Sequence, residues 1–102
     1  MRGKKRYIEF QLIASAEISQ EGTKNAVFGV FERLFGEAGI ASQKLWMVKW
    51  LKTSNTGILR CSLSQEENVK AGLLFVTRAG GTGVVPLVKR VSGSIRKLAR
   101  AD

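Results

Sequence analysis

The spacing of apolar residues changes repeatedly along this chain, and each change marks an element. Residues 7 to 14 alternate, with Ile8, Phe10, Leu12 and Ala14 on one side and Tyr7, Glu9, Gln11 and Ile13 on the other. That is the period of a half-buried strand. From Ser19 onward Val27, Val30, Phe31, Leu34, Phe35 and Ala38 recur at helical spacing, with Ser19 placed as N-cap, Glu21 near the positive end of the dipole and Gly39 as a left-handed stop. Residues 45 to 52 and 58 to 63 are rich in aromatic and aliphatic side chains, and the turn formers Thr53, Ser54, Asn55, Thr56 and Gly57 lie between them. This pattern predicts a hairpin.

Beyond the hairpin, Ser64-Gln-Glu-Glu67 fits a capping box, and Val69, Leu73 and Val76 continue on one face of a second helix. Gly80-Gly81-Thr82-Gly83 reads as a flexible connector, because a phosphate loop would need a preceding strand and a Lys-Ser/Thr pair that are missing. Val84 to Val91 forms the fourth strand, and Pro86 within it argues for a sheet edge. A short basic helix closes the chain, with Ile95, Leu98 and Ala99 on its apolar side. Strand, helix, hairpin, helix, strand predicts an α+β, ferredoxin-like two-layer sandwich: a four-stranded antiparallel sheet in the order 4-1-3-2, with two helices on one face. The fourth strand lies at the edge in that order, as its proline requires. No linker-like stretch divides residues 1–102, so a single domain is expected.

Charge changes the picture next. Seventeen Lys and Arg against eight Asp and Glu give +9, an excess suited to a polyanionic partner. A soluble protein with surplus surface lysine is the plainer reading of the same number. One cysteine and no histidine exclude an internal disulfide or a Cys/His zinc cluster. Neither a signal core nor a membrane-length apolar run occurs, and a cytoplasmic location is expected.

Catalytic inventory is poor. Glu9 has no evident partner acid, Glu66 and Glu67 are explained by helix capping, and Cys61 alternates with Leu59 and Leu63 as a core residue would. The cations are better organised. Lys4, Lys5 and Arg6 precede the first strand, Lys49, Lys52 and Arg60 lie on the hairpin, and Lys89, Arg90, Arg96, Lys97 and Arg100 come near the end. In the 4-1-3-2 order the first and last groups meet at one end of the sheet, where Ser92-Gly93-Ser94 adds backbone amides. The topology resembles the RNA recognition motif, but Ile58, Arg60 and Ser62 stand on the third strand where that motif stacks rings. Trp46 and Trp50 are expected to share the core face of the second strand, leaving Met47, Ile58, Val84 and Val88 on an open face that a partner would cover.

Three segments together resemble archaeal ribonuclease P protein component 2, a relative of the small Pop-class subunit of ribonucleases P and MRP. They are Arg6-Tyr-Ile-Glu-Phe10, Trp46 to Trp50 followed by Thr56-Gly-Ile-Leu-Arg-Cys61, and Val91-Ser-Gly-Ser-Ile-Arg96, with Ser94 where the family pattern has threonine. The resemblance implies a non-catalytic subunit that binds the ribonuclease P RNA and supports removal of the 5′ leader from precursor tRNA. It further implies Mg²⁺ bound by the RNA and none by the polypeptide, pairing with protein component 3, and RNA-facing roles for Arg60 and Arg96. A different RNA- or ribosome-binding module, or a small-molecule regulatory domain of the same fold, are the alternative readings.

Overall fold

The computed structural model describes residues 4–95. The expected terminal helix, with Arg96, Lys97 and Arg100, lies outside them. Elements follow as β1 (Lys5–Ile13), α1 (Gln20–Gln43), β2 (Trp46–Leu51), β3 (Thr56–Ser62), α2 (Glu66–Leu73), β4 (Arg78–Ala79), β5 (Thr82–Gly83) and β6 (Val85–Ser92). Four of the strands form one antiparallel sheet in the order β2-β3-β1-β6, which is the expected 4-1-3-2 order read from the other edge. Both helices lie against one face, over a core that includes Ile8, Phe10, Leu12, Val27, Phe31, Leu59, Val69 and Leu73. Pro86 sits in β6, whose only sheet neighbour among the described residues is β1, so its missing N–H deprives no second described strand.

Ser19 caps α1 as its sequence suggests, its Oγ accepting the Gly22 N–H at 3.0 Å. The helix does not stop at Gly39. It kinks at Gly36, whose φ of 72° suits a residue without Cβ, and runs on to Gln43, where Lys44 takes the left-handed cap. The extra turns carry Ile40 onto the core and bury Gln43, whose amide has no hydrogen-bond partner among the described residues. An unpaired buried amide costs about 1–3 kcal/mol relative to an apolar side chain of that shape.

The capping box is absent. Ser64 lies in a 3₁₀ turn, Leu63–Gln65, and no side chain among the described residues caps α2. The turn is tied to the sheet instead, through the Leu63 N–H to the Lys4 carbonyl at 2.8 Å and the Arg6 guanidinium to Glu66 at 3.4 Å. Nor is the glycine run a loose connector. It forms the β4–β5 hairpin, with Gly80 and Gly81 at positive φ in the reversal.

Two bulges set which side chains face where. Between Met47 and Lys49 the pairing of β2 with β3 slips, leaving Val48 as an extra residue; between Glu9 and Phe10 the pairing of β1 with β6 slips, leaving Lys89 extra. An extra residue inverts the alternation beyond it. Met47 therefore points into the core beside Leu59, and Val84 and Val88 also pack on the helix side. Their expected placement on the open face is corrected. Trp46 and Trp50 are likewise separated, Trp50 against Phe10 with ring centroids 5.9 Å apart and Trp46 on the open face, 59% exposed.

Candidate nucleic-acid interface

Register builds the open face row by row. Reading across β2, β3, β1 and β6, the first row is Trp46, Arg60, Tyr7 and Ser92, the next Lys49, Ile58, Glu9 and Arg90, and the third Leu51, Thr56, Gln11 and Leu87. Lys5, paired with Ser62, stands one row beyond the first, and Ile13 with Val85 one row beyond the third. One end of the face is thus basic and aromatic, and the other is apolar.

At the basic end Lys4 and Lys5 are exposed, and Arg60 is half-buried with its guanidinium carbon 6.0 Å from the centroid of the Trp46 ring. That distance is within cation–π reach. Tyr7 flanks Arg60 on the other side. Ser92 completes the row, and its Oγ accepts the Ser94 N–H at 3.0 Å. Arg6 departs from the expected patch. It alternates to the helix side, pairs with Glu66, and lies so close to Gly93 that a Cβ there would meet its guanidinium at 2.9 Å. Lys89 is exposed at its bulge.

Arg90 is exposed but already engaged within the fold. Its Nε donates to Glu9 Oε1 at 2.7 Å, and Glu9 is only 5% exposed. The middle row is closed around this pair, Ile58 beside it being 3% exposed and out of reach of any partner surface. The exposed aliphatic residues of this face are instead Leu51, Leu87, Ile13 and Val85.

Two residues that matter here escaped the sequence reading. Trp46 did so because strict alternation was assumed, although core residues spaced by three, Met47 and Trp50, are the signature of a bulge. Asn55 was read only as a turn former. It is 7% exposed at φ 52°, its Oδ1 accepts the Ile18 N–H at 2.9 Å, and its Nδ2 donates to the Ala16 carbonyl at 2.9 Å. Trp50 Nε1 donates to the Ile18 carbonyl at 2.7 Å, so the hairpin holds both backbone groups of that residue.

Enzymatic candidates fare as their environments dictate. Cys61 is buried in the core, and its thiol is pushed up to about 11, first by burial and then by the charge of Glu66. Little thiolate exists near neutral pH in such a site. Among the described residues, no three of His, Cys, Asp and Glu gather in a group that could hold a metal ion, and no helix is long and apolar enough to cross a membrane.

A ferredoxin-like sandwich whose open face bears rings and cations at one end is the class these features define. The chain belongs to the Rpp14/Pop5 family, whose sequence profile matches residues 6–101. It is 35% identical to ribonuclease P protein component 2 of Pyrococcus furiosus over 98% of this chain and 83% of that protein. With the Pyrococcus abyssi protein of the same name it shares 31% identity, over 98% of this chain and 85% of the relative. In fold it is similar to a chain of yeast ribonuclease MRP, with a TM-score of 0.73 at 10% identity, covering 92% of this chain and 77% of that one. The resemblance seen in three sequence segments thus extends over nearly the whole chain.

Proposed function

We propose that this chain is a non-catalytic protein subunit of ribonuclease P that binds the catalytic RNA and supports removal of the 5′ leader from precursor tRNA. The observation that carries the reading is the family match across residues 6–101. The physical chemistry agrees with it: a net charge of +9, a basic end to the open face, a buried thiol, and a buried carboxylate already neutralised by Arg90. These side chains suit phosphate screening better than acid-base work. Mg²⁺ in this reading is held by the RNA, the polypeptide holding no cofactor, and the complex works in the cytoplasm.

RNA contact falls to Lys4, Lys5 and Arg60, with Lys89 at the edge. Replacing Lys4 and Lys5 with alanine is expected to weaken binding to the catalytic RNA and to flatten the dependence of log affinity on log salt by ~0.7–0.9 units per lost contact. An affinity and slope equal to the parent's would remove RNA binding from this end of the sheet.

Protein component 3 is the proposed protein partner, docking on the apolar end at Ile13, Leu87 and Val85, which are 50%, 44% and 62% exposed. Leu87→Asp is expected to weaken that association while changing stability by no more than ~0.5 kcal/mol, as exposed positions do. Co-elution of the two proteins at parental strength would place the contact elsewhere.

A further inference from the structure

We propose that the row Trp46–Arg60–Tyr7 is a stacking platform for unpaired nucleotides of RNA. The proposal rests on the RNA-subunit reading and deepens it, from phosphate contact to recognition of single-stranded bases.

Trp46 is the starting point. The residue is 59% exposed on a face where Ile58 and Glu9, one row away, are buried. The bulge at Val48 puts it there, interrupting the ladder of an edge strand while Met47 and Trp50 occupy the core side. Arg60 follows on β3 with its guanidinium 6.0 Å from the indole centroid, and Tyr7 stands next on β1. Two rings with a planar cation between them span two strand spacings, roughly 10 Å. Rings and guanidinium planes both offer faces to bases, and Arg60 can also reach phosphate or base edges through its fork.

Charge selects the occupant. The row contains no carboxylate, and Glu9 in the next row is paired with Arg90 at 2.7 Å. Lys5 stands one row further out, beside the exposed Lys4. An apolar protein surface laid on this row would have to desolvate Arg60, whereas a nucleotide meets it with phosphate. A continuous duplex keeps its base faces stacked on one another, so loops, bulges or a single-stranded leader fit where a helix does not.

The test uses the full chain with a short oligoadenylate, a blunt RNA duplex and the catalytic RNA. Oligoadenylate is expected to bind more tightly than the duplex and to quench tryptophan emission, which comes from Trp46 and the core residue Trp50. Trp46→Ala is expected to weaken oligoadenylate binding by about 5- to 100-fold. Its salt slope should equal the parent's, since no cation is removed, and Trp46→Phe should recover most of the affinity because a ring remains. Oligoadenylate affinity unchanged in Trp46→Ala, with the catalytic RNA still bound, would overturn the platform and leave the subunit reading standing. A parent protein that binds neither RNA would overturn both. Loss of association with protein component 3 in Trp46→Ala, without loss of RNA affinity, would make the row a protein contact and equally overturn the platform.

Discussion

Asn55→Ala is expected to destabilise the protein by about 3 kcal/mol. Two buried hydrogen bonds disappear, and the Ile18 N–H and Ala16 carbonyl they satisfied lose their partner. Net bonds of this kind contribute about 1 kcal/mol each, and stranded groups add to the loss. Alanine must also hold φ near 52°, a left-handed conformation that costs a residue with Cβ about 1–2 kcal/mol. Asn55→Asp keeps the acceptor and tolerates that conformation, but it turns a buried carboxylate oxygen onto the Ala16 carbonyl in place of a donor, so a loss at least as large as alanine's is expected. Denaturant midpoints measure both. A parental midpoint for Asn55→Ala would show that the hairpin does not hold the loop leading into α1.

Gly57→Val should cost as much or more, by the opposite mechanism. A Cβ on Gly57 would stand 2.6 Å from Trp50 Cε3, 3.0 Å from the Lys49 carbonyl oxygen and 3.2 Å from Phe10 Cε1. Overpacking of this kind costs about 1–3 kcal/mol, and valine adds two methyl groups to the collision. The Trp50 ring cannot retreat freely, because its indole N–H is bonded to the Ile18 carbonyl at 2.7 Å. Since Gly57 pairs with Trp50 across the hairpin, the variant should also disturb the register that turns Trp46 outward. Thermal unfolding of Gly57→Val at the parent's temperature would contradict this packing.

Much of this architecture was legible in the chain. The alternation of β1 and the stripe of α1 are local signals, and the proline of β6 pointed to an edge before any topology was known. Those features depend on neighbours close in sequence. What escaped depended on a single inserted residue. A bulge leaves composition unchanged but inverts the faces beyond it, so Val48 and Lys89 were enough to misplace Met47, Val84, Val88 and Trp46 together. The capping box at Ser64 failed for a different reason: Arg6 and the Lys4 carbonyl, some 60 positions away in sequence, hold the start of α2, and no local pattern reports them.

Register brings Lys5 and Ser92 to one end of the sheet as expected, and it adds Arg60, which the sequence grouped with the hairpin cations Lys49 and Lys52. Pairing across the fold sets the state of two further cations. Arg6 and Arg90 look like phosphate ligands by charge, yet each is already paired with a glutamate across the fold, Arg6 with Glu66 and Arg90 with Glu9. A partner ion contributes or withdraws a cation from the surface without leaving any mark on composition.

Reconstituted leader removal from precursor tRNA tests the central claim most directly, with the catalytic RNA and its protein partners assembled with or without this chain across a range of Mg²⁺. The account predicts that adding the protein lowers the Mg²⁺ needed for full activity, because its cations screen packed RNA phosphates, while the protein alone cleaves nothing. A Mg²⁺ requirement indifferent to the protein, or leader removal by the polypeptide without RNA, would contradict it.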